Sequence, residues 1–494
     1  MSKKSRIILI TALALVFVLA FVGCQSYGQK PITGGDASAK VESNGGSIVK
    51  QGDYYYFVNG LNAYANIKVP KDNYFGSIIK GSIVRAKQNA DGKFEDYQII
   101  VPKMVLSSTT EVGFSIYGEW IYYVSPSIAT DKLGAVQTTY LEYLRTKIDG
   151  SKTQSLAIIE GQSTTYSFTA EGMFYFKDSK LHGIAVDNKK VGKDVVLAED
   201  VASVNLPKIT TYTPNATTNA NFAFYLTKSA NEEMTNNVLM AVDVNNNKKT
   251  IIDEKTFQPT ETIDKALAYT ISIKKIDYEA DGVVVYYDKT STVFGESRNL
   301  GLFAYKFADS AFAFDKAKEV QISSKSYSSI YPISLAEGAF VTDKTVVEFV
   351  KNENGKLINK KPFDSTKSIT DKDYYYSFPA NITILNIDSG VMLYSVNSIV
   401  SKIKFDLTKD EMFVSDAEQI APNEKYDATF VSLEYINGYI YYFNTNYYNY
   451  MSRMKIDTYD ASDSKKLLIE NMVDLNKTVT KADLKSIKDA EKKK

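Results

Sequence analysis

Two single residues bound the chemistry open to this sequence. Cys24 is its only cysteine and His182 its only histidine. A Cys/His zinc site needs three or four such ligands, so none can be assembled. A disulfide needs a second cysteine and is excluded as well. His182 has one catalytic role open to it on paper, but it lies in KLHGI, among apolar neighbours of a predicted strand, which is the setting of a structural histidine. Carboxylates remain for bond-breaking chemistry, because two facing acids can hydrolyse a glycosidic bond. Glu111, Asp277 and Glu434 are the acids that fall on the innermost strands of the fold that the repeats describe. Roles at a rim or in ion pairs suit these three better than catalysis. The sequence has no G-x-S-x-G elbow, no phosphate-cradling glycine loop, no H-E-x-x-H and no EF-hand loop. NADGKFED (89–96) carries oxygen ligands but reads as a hairpin turn. No metal and no cofactor is expected.

Aromatic residues offer a second kind of chemistry, recognition. The chain has 36 tyrosines and 25 phenylalanines but one tryptophan. They crowd in stretches such as GYIYYFNTNYYNY (438–450). Tyr64, Tyr74, Phe75, Tyr447, Tyr448 and Tyr450 lie in long polar connections, with Asn62, Asn73, Asn446 and Asn449 among them. Exposed tyrosine with asparagine is the composition of adaptable binding loops, and flat rings with amide partners also suit sugars. These six aromatics are the candidate ligand-binding residues.

Charge narrows the partners. Lys+Arg and Asp+Glu both number 58, so the net charge is zero. No global field attracts nucleic acid, and none is expected as a partner.

The elements that position these residues begin with an address. MSKKSR is a positive start, residues 7–23 run apolar, and Cys24 follows Gly23 directly. A charged start, a short apolar core and a small residue at the cleavage point describe a secretory signal. Phe21-Val22-Gly23-Cys24 resembles the lipobox of bacterial lipoproteins, with Phe21 where leucine is usual. The resemblance implies cleavage between Gly23 and Cys24 and a diacylglyceryl group on the Cys24 thiol. It implies a chain held to the cell membrane on the extracytoplasmic side. The polar, Gly/Ser-rich run after it reads as a flexible linker.

From residue 46 the pattern is short Tyr/Phe/Val/Ile runs broken by Gly, Asn and Asp, the signature of strands and hairpins. These runs recur. Glycine opens the aromatic run at Gly52, Gly118, Gly172, Gly282, Gly338, Gly390 and Gly438, and ANFAFYL around Phe222 supplies an eighth copy without a glycine. The mean interval is about 55 residues, in the range of propellers and arrays. Four antiparallel strands per copy describe an all-β fold, a β-propeller of about eight four-stranded blades, with seven the alternative count. Most of the tyrosines are then packing between blades. WIYYVS, VVVYYD and AFVTD, with LRTKIDGSK downstream, resemble YWTD-type repeats of low-density-lipoprotein-receptor propellers. They are similar also to receptor-like propeller domains of bacterial lipoproteins. The repeat here is longer than the receptor type, whose motif residues are structural and imply no catalytic site.

The expected organisation is a signal peptide (1–23), a lipidated cysteine and linker (24–45), a propeller (46–471) and a Lys-rich tail or short helix (472–494). Thr480 and Asp483 in the tail resemble a capping box. The expected function is binding of an envelope protein or glycan without catalysis. Two alternatives stand beside it, a carboxylate-dependent glycan hydrolase or lyase and a passive assembly scaffold.

Overall fold

The computed structural model describes residues 34–60, 82–101, 113–126, 140–160, 165–214, 221–227, 237–252, 269–279, 281–293, 296–308, 311–365, 382–396, 399–421, 431–444, 450–456 and 469–472. Their strands form eight antiparallel sheets in a ring, an eight-bladed β-propeller. Each predicted copy is one blade. Blade 1 is Ile48–Gln51, Tyr54–Val58, Ile83–Gln88 and Phe94–Val101; blade 2 is Ser115–Tyr117, Trp120–Pro126, Tyr140–Lys147 and Thr153–Glu160. Blade 3 is Thr165–Thr169, Gly172–Lys177, Lys180–Val186 and Val191–Ala198. Blades 4 to 8 occupy 201–252, 269–323, 329–364, 383–421 and 431–471.

Local chemistry accounts for the hairpins. The first two strands of blade 8 pair Ile436 with Tyr439 across a two-residue turn, Asn437-Gly438. Both turn residues have positive φ, 50° and 80°. That is the twist-matched turn that Asn-Gly adopts at low cost. NADGKFED is a turn as expected, with the Asn89 side chain accepting from the backbone N–H of Asp91 and Lys93. Aromatic side chains on the inner strands then pack against one another between blades. Tyr55 meets Tyr441 across the seam of blades 1 and 8, and Tyr143 meets Tyr166 and Phe168 across that of blades 2 and 3.

One expectation about organisation is corrected. The linker read as extending to residue 45 is folded from residue 34 onward. Val41–Glu42 pairs with the innermost strand of blade 1 on one side and with Thr211–Tyr212 on the other. Thr211–Tyr212 belongs to an excursion between the first two strands of blade 4. Blade 1 is thereby extended by two short strands toward the axis of the ring. The cause is local: Val41 is fully buried in the core cluster of blades 8, 1 and 2. Asn44 exchanges hydrogen bonds with blades 2 and 4, its side chain accepting from Ile116 N–H at 2.7 Å and its N–H donating to Thr210 C=O at 2.8 Å. A composition rich in Gly and Ser gives little sign of such docking.

Each blade takes its four strands from one stretch of chain, blade 4 with the excursion between its first two, and among the described residues no exchanged strand joins the last blade to the first. Side chains close the ring instead. The Glu434 carboxylate, on the innermost strand of blade 8, accepts from Ser43 Oγ at 2.5 Å, from Ser47 Oγ at 2.6 Å, and from the Ser47 N–H. Burial pushes its pKa above the ordinary glutamate value even though these donors favour the anion. Gly46 makes room for the carboxylate, since a Cβ there would lie 2.0 Å from Oε2.

Arginines add a second tie, repeated at three consecutive seams. Arg453, Arg85 and Arg145 occupy the same register on the third strands of blades 8, 1 and 2, opposite Tyr441, Tyr56 and Tyr122. Each guanidinium lies over a ring, Tyr439 at 4.3 Å, Tyr54 at 4.6 Å and Trp120 at 4.2 Å. Each then donates to a turn carbonyl of the next blade: Arg453 to Gly92 at 2.6 Å, Arg85 to Ile148 at 3.4 Å, Arg145 to Asp187 at 2.6 Å.

Substitutions test both kinds of tie. Gly46→Ala lowers stability by about 3 kcal/mol in denaturant unfolding, because the carboxylate it strikes is held by several donors. As the pH rises from below to above the ordinary glutamate pKa, the stability of wild type relative to Glu434→Gln falls, since the folded wild type retains the Glu434 proton in that window and the unfolded chain does not. Glu434→Gln keeps the shape and removes only that contribution, the other carboxylates titrating alike in both; parallel melting profiles for wild type and variant would refute the assignment. Arg145→Lys costs about 2 kcal/mol, because an ammonium cannot reproduce the forked contacts, and it shifts the emission of Trp120, the chain's only tryptophan, to longer wavelength.

Candidate functional site

A cleft of about 630 Å³ lies between blades 2 and 3, on the face that carries the first-to-second and third-to-fourth strand turns. Blade 2 contributes the turn Gly118-Glu119 and the side chains of Tyr117, Trp120, Tyr122 and Arg145. Blade 3 contributes Ala170-Glu171 and the turn 186–189, and Tyr212 enters from the excursion of blade 4. A smaller cleft of about 270 Å³ adjoins it, lined by Gly34, Gly35, Ala37, Glu119 and 147–149. The two share Glu119.

Strand alternation supplies the aromatic floor. Tyr117 ends the first strand of blade 2 and pairs with Trp120, while Tyr122 follows two residues on, so the rings share one sheet face. Tyr117 packs edge-on against Tyr122 and against Tyr212, with centroids 5.7 and 5.0 Å apart. The Tyr117 hydroxyl donates to the Phe168 carbonyl at 2.8 Å, tying blade 2 to blade 3. Burial raises the pKa of Tyr117, Tyr122 and Tyr212, so all three phenols are neutral across the physiological range.

The charged groups at the floor are committed to the protein. Arg145 donates from Nε to Gln154 Oε1 at 2.9 Å and from Nη2 to the Asp187 carbonyl. It is 1% exposed. Trp120 is covered by Arg145 and approached by Lys147 and Lys152, which leaves its ring no open face for a ligand. Glu119 is neutralised by Lys147 at 2.9 Å. The Asp187 carboxylate accepts from the backbone N–H groups of Lys189 and Lys190, which hold its pKa below the ordinary value.

The rim is different. The side chains of Glu171, Asn188 and Lys189 and the Tyr212 hydroxyl make no hydrogen bond or ion pair among the described residues. A carboxylate, an amide, an ammonium and a phenol therefore face the cleft with their hydrogen-bonding capacity unspent. Around a neutral aromatic floor, this set suits reversible binding of an uncharged, hydroxyl-rich molecule. Within the cleft the described residues present no nucleophile beside a base.

The aromatic loop residues expected to bind ligand lie elsewhere in the chain. Tyr64, Tyr74, Phe75, Tyr447 and Tyr448 fall outside the described residues, as do the four loop asparagines, Gly23, Cys24 and Glu111. Tyr450 opens the third strand of blade 8, paired with Asn444. Blades 8, 1 and 2 are consecutive around the ring. Asp277, on the first strand of blade 5, has its pKa raised by burial. Glu434 is the closing clasp, its oxygens taken up by Ser43 and Ser47. His182 stacks on Tyr175 at 4.3 Å, with the Tyr175 hydroxyl and Asp194 at its Nδ1.

Sequence reasoning missed the cleft between blades 2 and 3. Its signal is the lone tryptophan, in register with Tyr54 and Tyr439 and followed on the next strand by Arg145-x-Lys147.

No protein-family model and no curated protein matches the sequence. Solved structures align with it remotely. AztD of Citrobacter koseri aligns with a TM-score of 0.36 at 10% identity, over 79% of this chain and 92% of that one. Hsv2 of Kluyveromyces lactis aligns with a TM-score of 0.34 at 9% identity, over 70% and 92%. Dipeptidyl peptidase 4 of Porphyromonas gingivalis aligns with a TM-score of 0.29 at 10% identity, over 79% and 62%. Similarity this remote carries nothing about activity. By its own eight sheets, the chain is a β-propeller.

Proposed function

We propose that this chain is a lipid-anchored, extracytoplasmic binding propeller that recognises a glycan of the cell envelope without chemistry. The cleft between blades 2 and 3 is the binding site. One observation carries the reading: an aromatic-floored cleft whose buried arginine, Arg145, is internally satisfied and whose rim side chains Glu171, Asn188, Lys189 and Tyr212 are not. Sugars meet aromatic faces with their C–H surfaces and polar rims with their hydroxyls. The anchor is the lipid on Cys24, added with cleavage after Gly23, and kinship with YWTD-type lipoprotein propellers belongs to the same proposal. The loop aromatics Tyr64, Tyr74, Phe75, Tyr447, Tyr448 and Tyr450 are a second recognition surface under this reading.

A carboxylate-dependent hydrolase is disfavoured by the state of Glu434, which spends its acceptor capacity on ring closure. A scaffold without a small ligand would leave the cleft rim without a purpose.

Trp120 makes the test direct. Residues 25–494 are titrated with short neutral oligosaccharides of envelope type, and tryptophan emission and product formation are followed together. Wild type gives a saturable emission change and no product. Tyr212→Ala and Glu171→Ala each weaken binding about threefold to tenfold, as expected for about 1 kcal/mol per lost contact. Turnover that disappears in Glu171→Gln would replace binding with catalysis. An eluate of envelope material retained by wild type that holds polypeptide and no sugar would replace the glycan with a protein.

A further inference from the structure

We infer that the turn face of the ring, the face that carries the cleft, is held toward the membrane, so that the cleft's ligand is a glycan carried at the bilayer. The inference rests on the lipid at Cys24 and on the binding role of the cleft.

The described chain begins on that face. The Gly34 carbonyl accepts from Arg85 Nη1 at 2.8 Å, beneath the third strand of blade 1. Gly34, Gly35 and Ala37 wall the smaller cleft, which shares Glu119 with the larger one. Asp36 then fixes a turn, its side chain accepting from Ser38 N–H at 2.9 Å and its carbonyl from Ala39 N–H at 3.1 Å. The anchored end of the body is thus pinned beside the cleft.

Covalent geometry limits how far the lipid can sit from that point. Cys24 and Gly34 are ten residues apart, and ten residues span at most about 35 Å. Presenting the opposite face to the membrane would send the chain outward past the outermost strand of blade 1 and then up the side of the ring. The outward step takes about 5 Å and the climb, the length of an eight-residue blade strand, about 25 Å. That route consumes nearly the full reach, whereas the turn face needs none of it.

Charge on the same face indicates the ligand. The linings of the two clefts hold Glu119, Asp149, Glu171 and Asp187 against Lys147, Lys189 and the buried Arg145. That slight excess of acid gives no steering toward anionic headgroups. Recognition then falls to the aromatic floor and the polar rim, which fit the hydroxyls of a lipid-borne neutral glycan.

The lipidated full chain, reconstituted in phosphatidylcholine vesicles, tests this. Cys24 is the only cysteine and carries the lipid, so one introduced thiol is the only labelling site. Ser151→Cys and Glu160→Cys place a donor fluorophore at the two ends of the outermost strand of blade 2, turn face and opposite face. Energy transfer to a headgroup-labelled acceptor lipid is expected to be several-fold greater from position 151. Equal transfer, or greater transfer from position 160, overturns the orientation, as does a Cys24 found without lipid by mass spectrometry. Neither result touches the titration with soluble oligosaccharides, so failure of the orientation and failure of the binding reading are told apart. In a second arm, vesicles containing a neutral glycolipid are expected to change Trp120 emission in wild type, and Tyr212→Ala to need about threefold to tenfold more glycolipid for the same change. No change in wild type, with soluble oligosaccharide still bound, overturns the bilayer as the source of the ligand.

Discussion

The ring depends on a buried carboxylate. Among the described residues no exchanged strand joins the last blade to the first; beside the Arg453 contact to Gly92 and the packing of Tyr55 on Tyr441, closure there rests on Glu434, which gathers Ser43 and Ser47 around itself from a segment that precedes blade 1. Such a clasp is costly to form, because a carboxylate loses its water, and strong once formed, because each lost water is replaced by a fixed donor. The same few residues reach further. Asn44 bonds to blades 2 and 4, and Gly45 and Gly46 exchange backbone hydrogen bonds with Phe114 at the start of blade 2. The segment 41–47 is therefore a hub on which four blades converge, and removing its clasp would loosen more than the seam it spans.

The seams of the ring are not solved alike. Arginine clamps occur at blades 8, 1 and 2, where the equivalent positions of blades 3, 4 and 6 hold Gly183, Ala241 and Phe349. Blades 6 and 7 meet through Phe340, Phe349 and Phe405. At blade 5 a buried lysine, Lys289, pairs with Glu319 and lies 4.0 Å from the centre of the Phe303 ring. Burial lowers its pKa to about 7 against the attraction of Glu319. A clamp that holds two blades by a turn carbonyl leaves space beside the turn, whereas interlocked phenylalanines fill it. The cleft opens where the last of the three clamps, Arg145, meets blade 3.

Much of the architecture is legible in the residues. A glycine or an Asn-Gly pair before an aromatic run marks a hairpin because the turn demands positive φ, and seven such runs with the glycine-free run at Phe222 mark eight blades. The hub is not legible, since Val41 is one apolar residue in a polar stretch and its partner strand lies some 170 residues away at Thr211–Tyr212. Composition reports local tendency; docking by a few backbone and amide hydrogen bonds leaves almost no compositional trace. Glu434 is legible as an inward acid but not as a clasp, because its donors come from the other end of the chain. Trp120 is the readable clue to the cleft, a residue type used once at a position that recurs.

Whether a site binds or reacts is decided by which of its polar groups are already spent. In this cleft the groups with the chemistry to act, Arg145, Glu119 and Asp187, are held by Gln154, Lys147 and backbone N–H groups. The phenols are kept protonated by burial. What remains unspent at the rim is one acid, one base, an amide and a hydroxyl, spread over two blades and the excursion of a third. A lone carboxylate without a positioned partner lacks the second acid or base that glycosidic cleavage requires. Under the proposed binding role, the same four groups orient hydroxyls at the mouth of the cleft. On that proposal the energy of binding lies in complementarity, and the rigidity of the cleft comes from the ties that also hold the blades together.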